Sequence, residues 1–255
     1  MDLLGQSFSY SDLRRVWDIE TRKGQNVARF IQGKIPIPDS RLSAVRANNA
    51  ATAVARAYRR KLPKGTPRAV LDSSDAAIQV LTAARESLIE EFLADVVKEI
   101  NGAAFRLSFT LRYREKKKDV YSLDNPFAAN YFASKIVMQN IARAFELRPR
   151  SRDLVVEQLA TLLNDNFPKT VIRADVHSFY ESIPHEKLVD ALRSNPALST
   201  SSVRLVRRLL ADLDSKKGVA TRVGIPRGLG LSAALSESFM QPFDDAIAAL
   251  PETIF

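Results

Sequence analysis

Residues 169–188 read KTVIRADVHSFYESIPHEKL. Val171 and Ile172 predict a short apolar strand, with Asp175 at its end. A carboxylate at the end of a buried strand is costly unless it caps, pairs with a cation or ligates a metal. All three roles stay open on the residues alone. Phe179, Tyr180 and Ile183 predict a tight apolar turn, of which period-two alternation can bury only one aromatic fully, and Pro184 predicts a helix that starts at its N1-like position. Further along, residues 224–237 read GIPRGLGLSAALSE. Gly224, Gly228 and Gly230 allow close backbone approach or positive φ ahead of a helix whose Leu231, Leu235, Phe239, Phe243 and Ile247 recur at i, i+4. No Gly-Lys-Ser/Thr closes this stretch, so it is not a phosphate loop of that type. A plain glycine turn before a helix N-terminus is the alternative. Pro242 predicts a kink or an early end to that helix. Of the two histidines, His177 is expected to face solvent or nucleic acid and His185 to sit in a helix first turn, neither with a metal partner.

These residues need elements to hold them. Residues 9–101 predict helix after helix: Ser11 can cap a segment with Leu13, Val16, Trp17 and Ile19, Asp39 one with Leu42, Val45, Val54 and Tyr58, and Ser74 one with Ile78, Leu81, Leu88, Phe92 and Val96 that stops at Asn101-Gly102. From residue 105 the period becomes two. Phe105, Leu107, Phe109, Leu111 and Tyr113 alternate with Arg106, Ser108, Thr110, Arg112 and Arg114, predicting a strand with one buried and one cationic face. A charged turn, Glu115 to Lys118, and a return strand through Val120, Tyr121 and Leu123 complete a basic hairpin. Two helices follow, near 126–147 and 152–165.

The chain has 255 residues and a formal net charge of +9. That length can bury a sizeable core, and the ordinary composition excludes a disordered or fibrous chain. Zero Cys excludes disulfides, Cys-ligated zinc and iron–sulfur clusters, and two His exclude a histidine cage. No secretory leader pattern opens the sequence and no apolar run approaches a membrane span, so a reducing, cytoplasmic location and no membrane are expected. Between Gly102 and Arg152 eleven basic residues face four acidic ones, so most of the net charge lies in that fifth of the chain. A solvated surface and a phosphate track are both open there; Arg112, Arg114, Lys117, Arg148, Arg150 and Arg152 are the candidate nucleic-acid contacts.

The run from Asp175 to Leu188 resembles motif A of reverse transcriptases, in particular the bacterial retron and group II intron-like branch. The run from Gly224 to Glu237 resembles their Gly-x-Pro-x-Gly motif B, in the right order and spacing. The Pro-Arg-Gly-Leu-Gly-x-Ser-Ala-x-Leu-Ser-Glu form looks closest to bacterial abortive-infection and defence-associated reverse transcriptases. The resemblance covers about residues 120–250 and does not extend to the N-terminal helices. It implies an α+β protein with a helical N-terminal region (1–101), a fingers-like basic segment (102–168) and an incomplete palm (169–255). It also implies an RNA-directed or untemplated DNA polymerase that transfers deoxynucleotides to a hydroxyl primer, in bacterial antiphage defence. Asp175 and the Val176 carbonyl would ligate Mg²⁺ or Mn²⁺ for two-ion phosphoryl transfer. Ser178 and Phe179 would offer backbone N–H groups to the triphosphate, Tyr180 would act as a steric gate against the ribose 2′-hydroxyl, and Arg227 and Gly228 would contact nucleotide and template. Arg227 stands where many reverse transcriptases have Gln, and a cation there would hold phosphate more strongly and read the base pair less closely.

One expected part is missing. The family completes its metal site with Tyr-x-Asp-Asp after the motif B helix, and residues 251–255 end about where the strand leading to it should begin. Asp244-Asp245, inside the predicted helix, is no substitute. Either the chain is the N-terminal part of a longer polymerase or another chain supplies the rest, with a homo-oligomer or the missing C-terminal half as the expected partner, and 255 residues alone should be inactive. The other class that fits is a noncatalytic nucleic-acid-binding or oligomerisation module.

Overall fold

Ser9 rather than Ser11 opens the first helix, α1 (Tyr10–Arg22): its hydroxyl accepts the Asp12 N–H while the Asp12 carboxylate accepts the Ser9 N–H. This reciprocal box satisfies two end donors, which a Ser one residue inside the helix cannot do. The computed structural model describes residues 8–32, 39–116, 118–124, 128–147, 152–164, 170, 172, 175–218 and 222–250, with Gln32 and Arg152 described by backbone alone. Two compact units divide the chain, Met1–Thr110 with Ser122–Ile136, and Leu111–Tyr121 with Val137–Phe255. Among the described residues the architecture is mostly helical with one antiparallel two-stranded sheet.

In the first unit, α1 is followed by α2 (Val27–Gln32), α3 (Ser40–Lys61) and α4 (Arg68–Asn101). Asp39 caps α3 as its position predicts, accepting the Arg41 N–H at 2.8 Å. α4 starts at Arg68 after Pro67, six residues before the expected Ser74, because Pro67 ends the connection and residues 68–73 include nothing that breaks a helix. It stops at Asn101-Gly102 as read. Trp17 is the centre of the core, 6.3 Å from the Phe92 ring edge-on and 6.5 Å from Phe132, which it stacks against. Such aromatic pairs add to the area they bury. Phe132 belongs to α5 (Ala128–Ala144). Beside it, the buried Glu20 carboxylate accepts from Lys135 at 3.1 Å and from the Tyr131 hydroxyl at 3.4 Å. Burial pushes the Glu20 carboxyl up, but Lys135 and Lys23 outweigh it and hold the group below its ordinary value. Burial, then Glu20, pushes the Tyr131 hydroxyl up.

The basic hairpin forms from β1 (Phe109–Glu115) and β2 (Lys118–Leu123), with Lys116 at positive φ in the turn. Asn130 of α5 ties its open end together, accepting the Ser108 N–H and donating to the Ser108 and Asp124 carbonyls. The strand begins four residues later than the alternation suggests, and its expected buried face is exposed beyond Phe109: Leu111 and Tyr113 are half exposed. Alternation marks a face that can be buried; only a layer packed on it buries it.

In the second unit come α6 (Arg152–Leu163), α7 (Phe179–Ser182), α8 (His185–Ser194), α9 (Thr200–Lys217) and α10 (Gly230–Ala248). α8 and α9 pack through Leu188, Leu192, Val206, Leu209, Leu210 and Leu213. Ser199 caps α9 and Gly218, in the left-handed conformation, ends it. The strand expected to lead into Asp175 is not found among the described residues: Ile172 lies outside any strand and is 86% exposed, while Val171 lies outside them. Pro242 does not end α10 early, since the helix continues to Ala248. The stripe is buried at Leu231 and Leu235, but Phe243 is exposed. Gly230 is the first residue of α10 and needs no positive φ.

Candidate functional site

Ser178 takes the left-handed conformation (φ +50°) and so turns the chain sharply into α7, where the Glu181 N–H closes the turn on the Ser178 carbonyl at 2.9 Å. A helical turn sets consecutive residues about 100° apart, unlike a strand. Phe179 and Tyr180 are therefore both half-buried, ring centres 6.1 Å apart and edge to face, where alternation would have buried one. Ile183 is buried and extended, and Pro184 is the N-cap of α8, one place before the predicted N1.

The glycine turn lies directly against this segment. The Ile225 N–H donates to the Tyr180 carbonyl at 2.7 Å and the Gly224 N–H to the Ile183 carbonyl at 2.8 Å; Pro184 and Val223 form an antiparallel bridge; the His185 N–H reaches the Arg222 carbonyl at 2.9 Å. Gly224 and Gly228 have φ of +92° and +94°. At Gly228 a Cβ would stand 2.5 Å from the Tyr121 carbonyl oxygen, so glycine is required both for conformation and for space. The Tyr121 N–H of β2 donates to the Arg227 carbonyl at 2.7 Å, and the Ser232 hydroxyl to the Pro226 carbonyl at 2.6 Å. The two segments singled out in the sequence are thus one hydrogen-bonded structure, with β2 attached.

Four side chains meet on it. Arg227 donates from Nε and Nη2 to Glu181 Oε1 at 3.1 and 3.0 Å, its guanidinium carbon 5.1 Å from the Tyr180 ring centre. Lys118 Nζ lies 3.8 Å from Glu181 Oε2. Behind them, the buried His185 ring presents Nε2 to the Gly224 carbonyl at 2.6 Å and Nδ1 to Asp214 at 3.3 Å, so each nitrogen faces an acceptor. Tyr180, Arg227 and Gly228 were legible as candidates from their motifs. Glu181, Lys118, His185 and Asp214 were not: they join the site through contacts across the chain, and only the position of Glu181 beside Tyr180 pointed to it.

The remaining candidates are placed less centrally. Asp175 and Val176 are exposed, in non-helical chain ahead of the turn. Among the described residues no group of three acidic, His or Cys side chains could hold a metal ion. Asp175 offers one oxygen-ligand position of the kind magnesium takes, which does not fit a two-ion site without further carboxylates. Exposed Arg112 lies over the Tyr113 ring at 5.9 Å, and Arg114 is paired with Asp119 at 2.6 Å. Arg152 opens α6 with its side chain outside the description, and Lys117, Arg148 and Arg150 lie outside the described residues. His177 is exposed. Among the described residues no helix is long and apolar enough to cross a membrane. No protein-family model, no curated protein and no solved structure matches this chain.

Proposed function

We propose that this chain is the fingers and partial palm of a bacterial reverse transcriptase of the defence-associated kind, joining deoxynucleotides to a hydroxyl primer. The observation that carries the reading is the union of the two motif-like segments: backbone bonds from Ile225 to Tyr180 and from Gly224 to Ile183 set the Pro226-Arg227-Gly228 turn against the Phe179-Tyr180 turn. Nothing in either segment alone requires the other. In the reaction the primer hydroxyl oxygen bonds to the α-phosphorus, the bond to pyrophosphate breaks, and the hydroxyl proton leaves to a base. The guanidinium of Arg227 faces the phosphates, the Tyr180 ring faces the sugar, and Asp175 is one ligand of a magnesium or manganese site whose other carboxylates are additional to those described here. Nucleic acid and deoxynucleoside triphosphates are the partners of this reading.

The test is deoxynucleotide incorporation by the full-length gene product with Mg²⁺ or Mn²⁺. Asp175→Ala should abolish it, and Tyr180→Ala should admit ribonucleotides. Equal incorporation by wild type and Asp175→Ala would sink the metal role. A wild-type protein that binds nucleic acid and incorporates nothing would instead be the noncatalytic module.

A further inference from the structure

Between Ser40 and Leu71 the chain has eight basic residues and no acidic one. This stretch is as strongly cationic as residues 102–152, and it lies wholly within the first unit. It forms α3, the connection Leu62 to Pro67, and the start of α4. The two helices run antiparallel, pinned by Arg41 to Asp95 at 2.7 Å near one end and by Arg59 to Asp75 at 2.9 Å near the other. Five cations therefore gather at the tip of a helical hairpin around Arg59: Arg56, Arg60, Lys61, Lys64 and Arg68.

Two acids lie near the tip, Asp75, engaged by Arg59, and Asp72, 3.8 Å from Arg68. Arg56, Arg60, Lys61 and Lys64 are exposed and have no carboxylate partner among the described residues. Helix stabilisation accounts for part of this: cations in the last turn of α3, Arg59 to Lys61, complement the helix dipole. It does not account for the rest. Lys64 and Arg68 flank the start of α4, whose first turn has no acidic residue, so they oppose that helix's dipole. Arg56 and Arg60, one turn apart, repel each other. Such an arrangement is locally unfavourable until an array of negative charge neutralises it.

We infer that the α3–α4 hairpin tip is a second nucleic-acid surface, binding the phosphodiester backbone through Arg56, Arg60, Lys61 and Lys64. The inference rests on this charge array and not on the polymerase reading. Arg56 and Arg60 lie about 6 Å apart along the helix axis, and Lys61 and Lys64 carry the array to the helix end and just beyond it, which suits a chain of phosphates rather than a single anion. A lipid surface would need an apolar stripe to insert, but Leu42 and Val45 of α3 are buried, which leaves Val54 and Tyr58. The exposed Tyr58 ring, near Lys61 around the helix, offers a face on which a base can stack.

The experiment is anisotropy of a labelled single-stranded RNA oligonucleotide with the full chain, titrated across a series of salt concentrations. Replacing Arg56, Arg60, Lys61 and Lys64 together by Gln keeps helix propensity. It should weaken binding at least tenfold near 0.1 M salt and lower the log–log salt slope by about 3, at ~0.7 per phosphate. Lys61→Gln with Lys64→Gln should lower the slope by about half as much, so the prediction stands if the fourfold variant fails to fold. Unchanged affinity and slope would overturn the inference. So would variants that bind RNA normally but lose binding to phosphatidylserine vesicles, which would mark a lipid contact.

Discussion

Arg227 and Glu181 lie 46 residues apart in the chain, yet the guanidinium holds the Glu181 carboxylate from two nitrogens while covering the Tyr180 ring. The pair joins the two turns side chain to side chain, as the Ile225-to-Tyr180 bond joins them backbone to backbone. It also means that the cation assigned to phosphate already has an anion.

Releasing that anion should show in binding. Both partners are about one-third exposed, so solvent screens the pair, and a double-mutant cycle of Glu181→Ala with Arg227→Ala should give a coupling of only about 0.5–1 kcal/mol in chemical denaturation. Glu181→Gln should raise the affinity for a deoxynucleoside triphosphate several-fold, because Arg227 and Lys118 no longer face a carboxylate. An unchanged affinity, measured by calorimetry, would remove Arg227 as a phosphate contact.

Gly228 should be the least replaceable glycine of those tested. Gly228→Ala puts a methyl 2.5 Å from the Tyr121 carbonyl oxygen and 2.8 Å from a Val120 methyl at φ +94°, whereas Gly65→Ala has the same φ and open space. We expect a loss of about 2–4 kcal/mol at Gly228 against about 1 at Gly65, from urea midpoints. Equal losses would mean that conformation alone, not the approach of β2, demands glycine there.

Acid should unfold the first unit partly through Glu20. Its carboxyl is held below the ordinary value of 4.5, so its contribution to stability is complete above that value and fades as pH falls through the lower folded value. Lys135→Met should cost about 2 kcal/mol near neutral pH by leaving a buried carboxylate with less compensation, and should flatten the loss of stability toward pH 3. Urea unfolding across that range checks both; an acid limb unchanged from wild type would refute the pairing.

Much of the local architecture was legible from neighbouring residues. Asp39 caps α3, Asn101-Gly102 ends α4, and a charged turn between alternating runs makes the hairpin, because caps, stops and turns are settled by groups a few residues apart. Ser11 for Ser9 is a misplacement of the same local kind, since neighbouring hydroxyls compete and the backbone at the helix end selects one; α4 instead starts at Arg68 behind Pro67, with no side-chain cap at all.

What the tertiary structure alone decided is which exposures and partners those elements acquire. Leu111, Tyr113 and Ile172 belong to patterns that burial would suit, and all three are exposed, because no described layer covers them. The charge of 40–71 could be counted from the residues; that Asp75 engages Arg59, leaving Arg56 and Arg60 without a carboxylate among the described residues, could not. The motifs likewise named Tyr180 and Arg227 separately. Their meeting, with Glu181, Lys118 and the His185–Asp214 pair around them, depends on loop closures across long stretches of chain. The packing of α8 on α9 and the attachment of β2 make those closures favourable, and no periodicity records them.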